Sequence, residues 1–189
     1  MNTFRFKYTT LFLTVLLLTG TASTVFAQSF TMTTSENRDK ASYSYLNERW
    51  PEKMMLFGFE RDRKEIDIDA VTLIQVWSAC CGAEPYLWEQ LEAINEEFKP
   101  KGLKWVSINF ENGTAYDDQV EIIQEYFKKN KKPEHFYLDP MGSTISKLKV
   151  HGFPTYFLVS KEGRLVFTTN GKDNDGMALL QAELEKMLN

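Results

Sequence analysis

The run Val71-Thr-Leu-Ile-Gln-Val-Trp77 is apolar on both of its alternating faces apart from Gln75. A strand of that kind has no side to give to water, so it reads as a central strand covered above and below. The next segment of the chain supplies part of the covering. Leu87, Leu91, Ile94 and Phe98 recur at four-, three- and four-residue steps, with Glu89, Glu92, Glu96 and Glu97 largely opposite, which is the pattern of an amphipathic helix. Lys99, Lys101 and Gly102 give that helix a C-terminal stop.

Further along, Leu103 to Phe110 reads as a second buried strand. Thr114 is placed to cap a helix through Phe127, with Asp117 and Asp118 in its first turn and Lys128 and Lys129 at its end. Phe136 to Leu138 is a short strand, Asp139 to Gly142 a turn, and Ser143 to Val150 a short helix. Tyr156–Val159 and Leu165–Thr168 flank Lys161-Glu-Gly163-Arg as a hairpin, and Met177 to Leu188 closes the chain as an amphipathic helix. Upstream, Met55 to Phe59 reads as a strand and Arg61 to Lys64 as a charged turn. Ile66 and Ile68, alternating with acids, read as a half-buried strand. Strands alternating with helices and ending in a hairpin predict an α/β fold, a central mixed β-sheet flanked by helices on both faces.

The amino terminus has a different character. Arg5 and Lys7 precede the apolar run Leu11 to Leu18, which is short for a bilayer span, and Val25-Phe26-Ala27 fits a signal-peptidase site before Gln28. Residues 1–27 are expected to be a removed export signal, 28–50 a polar N-terminal arm, and 51–189 the folded domain. Such a chain is exported to the periplasm or the extracellular side of the cell envelope, without stable membrane insertion once the signal is gone. Losing Arg5 and Lys7, two positive charges and no acid, takes the formal charge from −4 to −6. A mildly acidic chain without a basic cluster argues against nucleic acid and against an anionic membrane surface.

Cys80 and Cys81 are the only cysteines, and they sit where the apolar strand runs into the helix. A thiol at a helix start is favoured as thiolate by the helix amides and dipole, which is how thiol redox enzymes expose a reactive sulfur. An oxidising compartment suits such chemistry. The usual C-x-x-C spacing is missing, because Glu84 stands three residues after Cys81. Residues before proline avoid the helical region, so Glu84-Pro85 places the helix start at Pro85.

Trp77-Ser-Ala-Cys80-Cys81-Gly-Ala-Glu84, Lys101-Gly102-Leu103, Leu138-Asp-Pro140-x-Gly142, Val150-His-Gly-Phe-Pro154-Thr155 and Lys161-Glu-Gly163 carry a resemblance. Together they look like a thioredoxin-fold protein, most similar to the exported TlpA/ResA-type thiol-disulfide oxidoreductases of bacterial cell envelopes. Such proteins carry Trp-Ala-x-Trp-Cys-x-x-Cys. On the register from Trp77 to Gly102, the resemblance implies that Cys81 is the nucleophile, Cys80 replaces the second tryptophan, and Glu84 stands where the resolving cysteine would be. It further implies a cis bond before Pro154 and a substrate segment laid over Trp77, Phe153, Pro154 and Thr155. The implied partners are protein thiols or disulfides, including an envelope redox partner. No cofactor and no metal centre is implied.

Cys80 has three readings. It is a buried apolar filler where the family has tryptophan, since neighbouring side chains leave a strand end in opposite directions. It can instead close a vicinal disulfide with Cys81, or serve as a metal ligand. For the whole protein three functions are open: an atypical or weakened thiol-disulfide oxidoreductase using Cys81, a redox-inactive module binding a partner at the Pro154 loop, or a soft-metal binder using Cys80, Cys81 and either His151 or Glu84. His151 and His135 otherwise read as loop and surface residues. Trp50, Trp77, Trp88 and Trp105 read as core or groove wall.

Overall fold

The computed structural model describes residues 46–51, 54–80, 85–171 and 175–189. The expected signal and most of the arm, residues 1–45, lie outside the described residues, as do Cys81, Gly82, Ala83 and Glu84. Among the described residues, no helix is long and apolar enough to cross a membrane.

Strand β3, Val71–Trp77, is buried at every position, as its sequence demands. It pairs in parallel with β4 (Leu103–Asn109) and antiparallel with β6 (Thr155–Val159). Outward from β4 lie β5 (His135–Leu138), parallel to it, and then β1 (Leu56–Phe57) and β2 (Arg63–Lys64), both added antiparallel. Strand β7 (Leu165–Asn170) completes the hairpin with β6. The seven strands run β2-β1-β5-β4-β3-β6-β7, a mixed sheet as expected.

Alternation along the strands divides the core between two faces. On one, Leu73, Trp77 and Trp105 pack against Trp88, Leu91 and Phe98 of α1 (Pro85–Phe98) and Leu180 and Leu184 of α4 (Gly176–Leu188). Ile123 of α2 (Tyr116–Phe127) joins them. On the other face, Ile74, Val76, Val106 and Ile108 pack against Leu148 of α3 (Ser143–Leu148), Val150 and Trp50. Pro85 occupies the first position of α1, where its missing N–H costs no helical bond. A 3-10 turn over Lys99–Lys101 extends α1, and Gly102 ends it with φ 102° and an N–H bonded to the Lys99 carbonyl.

Three local expectations are corrected. Ile66 and Ile68 form no strand; they are half-buried, packed on the second core face, in a segment whose backbone joins no ladder. Their alternation reports burial of side chains rather than pairing of backbone. Strand β2 instead occupies Arg63–Lys64, inside the stretch read as a turn. The residue capping α2 is Ala115, not Thr114, and Asp117 and Asp118 fill the first turn beneath it.

The end of the stretch read as an arm is bonded to the hairpin. Asn47 N–H donates to the Leu165 carbonyl at 2.7 Å, Leu165 N–H to the Glu48 carbonyl at 2.9 Å, and Trp50 N–H to the Gly163 carbonyl at 2.7 Å. Trp50 is buried and meets Phe157 edge-on with ring centroids 6.4 Å apart.

Gly171 ends β7 against the loop before β6, where its N–H donates to the Pro154 carbonyl at 2.9 Å. A Cβ there would lie 2.6 Å from Pro154 Cγ and 2.9 Å from Tyr156 Cε2. Gly171→Ala is expected to destabilise the protein by about 1–3 kcal/mol through this overpacking, read from urea unfolding. An unchanged midpoint would refute the contact.

Candidate functional site

The register Trp77↔Asn109↔Leu138 aligns the carboxyl ends of β3, β4 and β5 at one end of the sheet. The pair Val76↔Thr155 brings the start of antiparallel β6, and Pro154 before it, to the same end. Four loops therefore converge: Ser78–Cys80, Phe110–Glu111, Asp139–Gly142 and His151–Pro154. Crevices beyond the carboxyl ends of parallel strands are where α/β folds place ligands.

The Pro154 loop is the more regular of the two sequence-predicted parts. The Phe153–Pro154 bond is cis, as the resemblance implied. Pro154 is buried, while Phe153 and Thr155 are half-buried. Thr155 Oγ1 donates to the Gly152 carbonyl at 2.7 Å, which ties the loop to itself. Phe153 stacks on Phe110 with centroids 6.1 Å apart, joining the loop to the end of β4. Phe110 is in turn close to Gly142, whose φ of 63° favours glycine and where an added Cβ would lie 3.2 Å from Phe110 Cε2. His151 is exposed.

Trp77 does not belong to the substrate surface that the resemblance implied. It is fully buried, its ring centroid 5.0 Å from Trp88 and 4.9 Å from Tyr126. Its indole N–H donates to Ser107 Oγ at 2.8 Å, and Ser107 donates onward to Gln75 Oε1 at 3.1 Å. Trp77 thus lies beneath the loop rather than at the surface.

Cys80 also departs from the filler reading, since it is exposed. The cause is a carboxylate that the strand pattern does not announce. Glu111, two residues past β4 and itself buried, reaches under the end of β3. Its Oε1 accepts the Ala79 backbone N–H at 2.6 Å and Asn109 Nδ2 at 2.8 Å, and its Oε2 accepts Ser78 Oγ at 2.8 Å. These bonds end the strand and turn the chain, so alternation stops at Ser78 and Cys80 leaves toward water. Asn109 is held by Gln119 of α2, whose Nε2 donates to Asn109 Oδ1 at 2.9 Å. Ser78 Oγ lies 3.2 Å from Cys80 Sγ, so sulfur, hydroxyl and carboxylate form one chain.

Glu111, Ser78, Asn109 and Gln119 were not singled out in the sequence. The available signal was an acid directly after an otherwise buried strand, ahead of Asn112-Gly113. Cys81 and Glu84, the expected nucleophile and the residue at the resolving position, lie outside the described residues. Among the described residues, no three His, Cys, Asp or Glu gather as a ligand set. A groove of about 360 Å³ lined by Trp50, Met54, Ile66 and Ile68 shares no residue with the four loops.

Behind the site, Tyr156 and Gln75 are cross-strand neighbours. Tyr156 Oη and Gln75 Nε2 are both buried, with no hydrogen-bond partner among the described residues. Burial, and secondarily the nearby Tyr86, push the Tyr156 phenol well above its ordinary value, so it stays neutral at any working pH.

No family model matches the chain, and no curated protein matches it. Solved structures do. A candidate thiol:disulfide interchange protein DsbE from Chlorobium tepidum superposes with a TM-score of 0.64 at 17% identity, over 76% of this chain and 98% of its own. A thiol:disulfide interchange protein from Bacteroides sp. gives 0.59 at 17%, over 76% and 90%. The thioredoxin domain of a thiol-disulfide oxidoreductase from Bacteroides vulgatus gives 0.58 at 19%, over 76% and 98%. At these identities the likeness establishes the fold, and the chain has a thioredoxin-like fold.

Removing the Glu111 carboxylate leaves the Ala79 N–H, Ser78 hydroxyl and Asn109 amide without their acceptor. Glu111→Ala is expected to cost about 3 kcal/mol of stability by denaturant unfolding. A cost below about 1 kcal/mol would show that solvent replaces these bonds without loss.

Proposed function

We propose that this protein is an exported thiol-disulfide oxidoreductase of the cell envelope, with altered or reduced activity, acting on protein thiols or disulfides through Cys81. The observation that carries this reading is the emergence of exposed Cys80, neighbour of Cys81, at the sheet end that also presents the Phe153-Pro154 loop. The fold is shared with solved thiol:disulfide interchange proteins. Export rests on Arg5, Lys7, the Leu11–Leu18 run and Val25-Phe26-Ala27.

In the reductive direction the Cys81 thiolate attacks one sulfur of a substrate disulfide. The substrate S–S bond breaks, a mixed disulfide forms, and the other substrate sulfur leaves as thiolate. A second thiol must then break the mixed disulfide. Either Cys80 does so, leaving a Cys80–Cys81 disulfide to be reduced by a thiol reductant, or an external low-molecular-weight thiol does so directly. Glu84 has no sulfur and resolves nothing.

A second reading has its own support. The Phe153–Phe110 pair gives the Pro154 loop an apolar flank that does not depend on any thiol. On that reading the loop holds an extended partner segment without turnover. The soft-metal reading needs Cys80 and Cys81 together with His151 or Glu84, and Cys81 and Glu84 lie outside the described residues.

With a disulfide substrate and excess thiol reductant, Cys81→Ser is expected to abolish reductase and isomerase activity, while Cys80→Ser keeps the fold. Equal activity in both variants and the wild type would sink the enzymatic reading and favour the binding module. Glu84→Cys should restore a conventional dithiol and raise turnover about 10-fold or more, because resolution becomes intramolecular. Intact mass of the secreted protein is expected to show Gln28 as its first residue.

A further inference from the structure

Trp88 and Trp105 meet edge-on in the first core face, ring centroids 5.7 Å apart, but their indole N–H groups fare differently. Trp88 Nε1 donates to the Lys131 carbonyl at 3.4 Å, which ties the loop between α2 and β5 to α1. Trp105 is 7% exposed, and its Nε1 finds no acceptor among the described residues. Buried donors are ordinarily paired, so this one calls for an acceptor that the chain does not itself bring.

Trp105 also lines a cavity of about 190 Å³ between α1 and that loop. The α1 wall carries Glu92, Asn95 and Glu96, and the loop wall carries Lys131. Two further lysines at the cavity are committed elsewhere. Lys99 Nζ is paired with Glu134 Oε2 at 2.7 Å, an ion pair that joins the two walls. Lys132 Nζ sits over the Phe59 ring, 4.7 Å from its centroid. Glu92, Glu96 and Lys131 have no such commitment, since none of them forms an ion pair among the described residues. Glu92 and Asn95 are half-buried, one helical turn apart, so they face the cavity together.

The cavity thus combines unpaired carboxylates on one wall, an unpaired ammonium on the other and an unanswered N–H donor. A simple cation would satisfy the carboxylates and leave Lys131 and Trp105 without an acceptor. A simple anion would do the reverse and lie against two carboxylates, a like-charge contact that disfavours it. A ligand carrying both charges meets every group. The volume falls below the roughly 300–1,000 Å³ of sites for drug-sized molecules, which limits the ligand to a few heavy atoms.

We propose that this cavity binds a free α-amino acid with a small side chain. Its carboxylate lies toward Lys131 and the Trp105 N–H, and its ammonium toward Glu92 and Glu96. A free α-amino acid carries both charges on one carbon, whereas each end of a peptide offers only one. The cavity shares no residue with the four loops at the sheet end, so the inference stands apart from the thiol reading.

The test uses the full chain labelled with nitrogen-15. Glycine or L-alanine is added at fixed pH and ionic strength while the four indole N–H resonances and the Asn95 side-chain amide are followed. The Trp105 resonance is expected to shift saturably, and acetate alone or methylammonium alone to act at least about 10-fold more weakly. Lys131→Met, at an exposed position, should weaken glycine binding about 10-fold or more, because a charged hydrogen bond is lost. Trp105→Phe keeps a ring in place and removes the donor, and is expected to weaken binding about 3- to 10-fold, read at Asn95. Acetate acting as strongly as glycine, or a midpoint unmoved by Lys131→Met, overturns the proposal. A Trp105 resonance indifferent to glycine also overturns it, and assigns the N–H to a water in the adjoining recess of about 30 Å³. Should Trp105→Phe fail to fold, the wild-type titration and Lys131→Met decide.

Discussion

Strand β3 has no face toward water, and the architecture follows from that constraint. Seven consecutive buried positions require neighbours on both edges and cover on both faces. Parallel β4 and antiparallel β6 supply the edges. Helices α1 and α4 cover the face carrying Leu73 and Trp77, while α3, Val150 and Trp50 cover the face carrying Ile74 and Val76. The carbonyl oxygen of Gln75 within the strand accepts from Ser107, which in turn accepts from Trp77, while Gln75 Nε2 finds no partner among the described residues. Burying polar groups requires such partners, because an unpaired one costs on the order of 1–3 kcal/mol.

The strand must nevertheless end, and how it ends creates the site. A buried apolar strand offers no local reason to turn at Ser78. Glu111 supplies one from 33 residues away by bonding the Ser78 side chain. Because Asn109 holds the carboxylate and is itself held by Gln119, the turn is anchored to β4 and α2. The thiol loop is thereby a product of the core, and its orientation is set by charge as much as by packing.

Much of this was legible in the sequence, for physical reasons. Period and length marked β3, α1 and the β6–β7 hairpin, since those elements are defined by neighbours close in sequence. Pro85 and Gly102 marked the bounds of α1 because their backbone chemistry permits little else. The failures share a different cause. Ile66 and Ile68 have the alternation of a strand, but a ladder needs an available edge, which no local pattern reveals. Nothing in the local pattern marks Glu111, because burial of a carboxylate is decided by donors brought in from β3. The filler reading of Cys80 fails for the same reason: alternation predicts its direction only while the strand continues, and Glu111 stops it. The resemblance laid a substrate segment over Trp77, whereas its reading as core or groove wall fits a ring and an N–H that are both satisfied inside.

The pairing of residues 47–48 with Leu165 bears on association rather than catalysis. Strand β7 is the outer strand of the sheet, and an outer strand exposes unpaired N–H and C=O groups to any passing chain. At Leu165 both of those groups are already bonded, to Glu48 and Asn47. Trp50 fastens the covering segment by burying its ring against Phe157. The chain thus blunts the start of its own sheet edge, and loss of the Trp50 anchor would open that edge to strand addition between molecules.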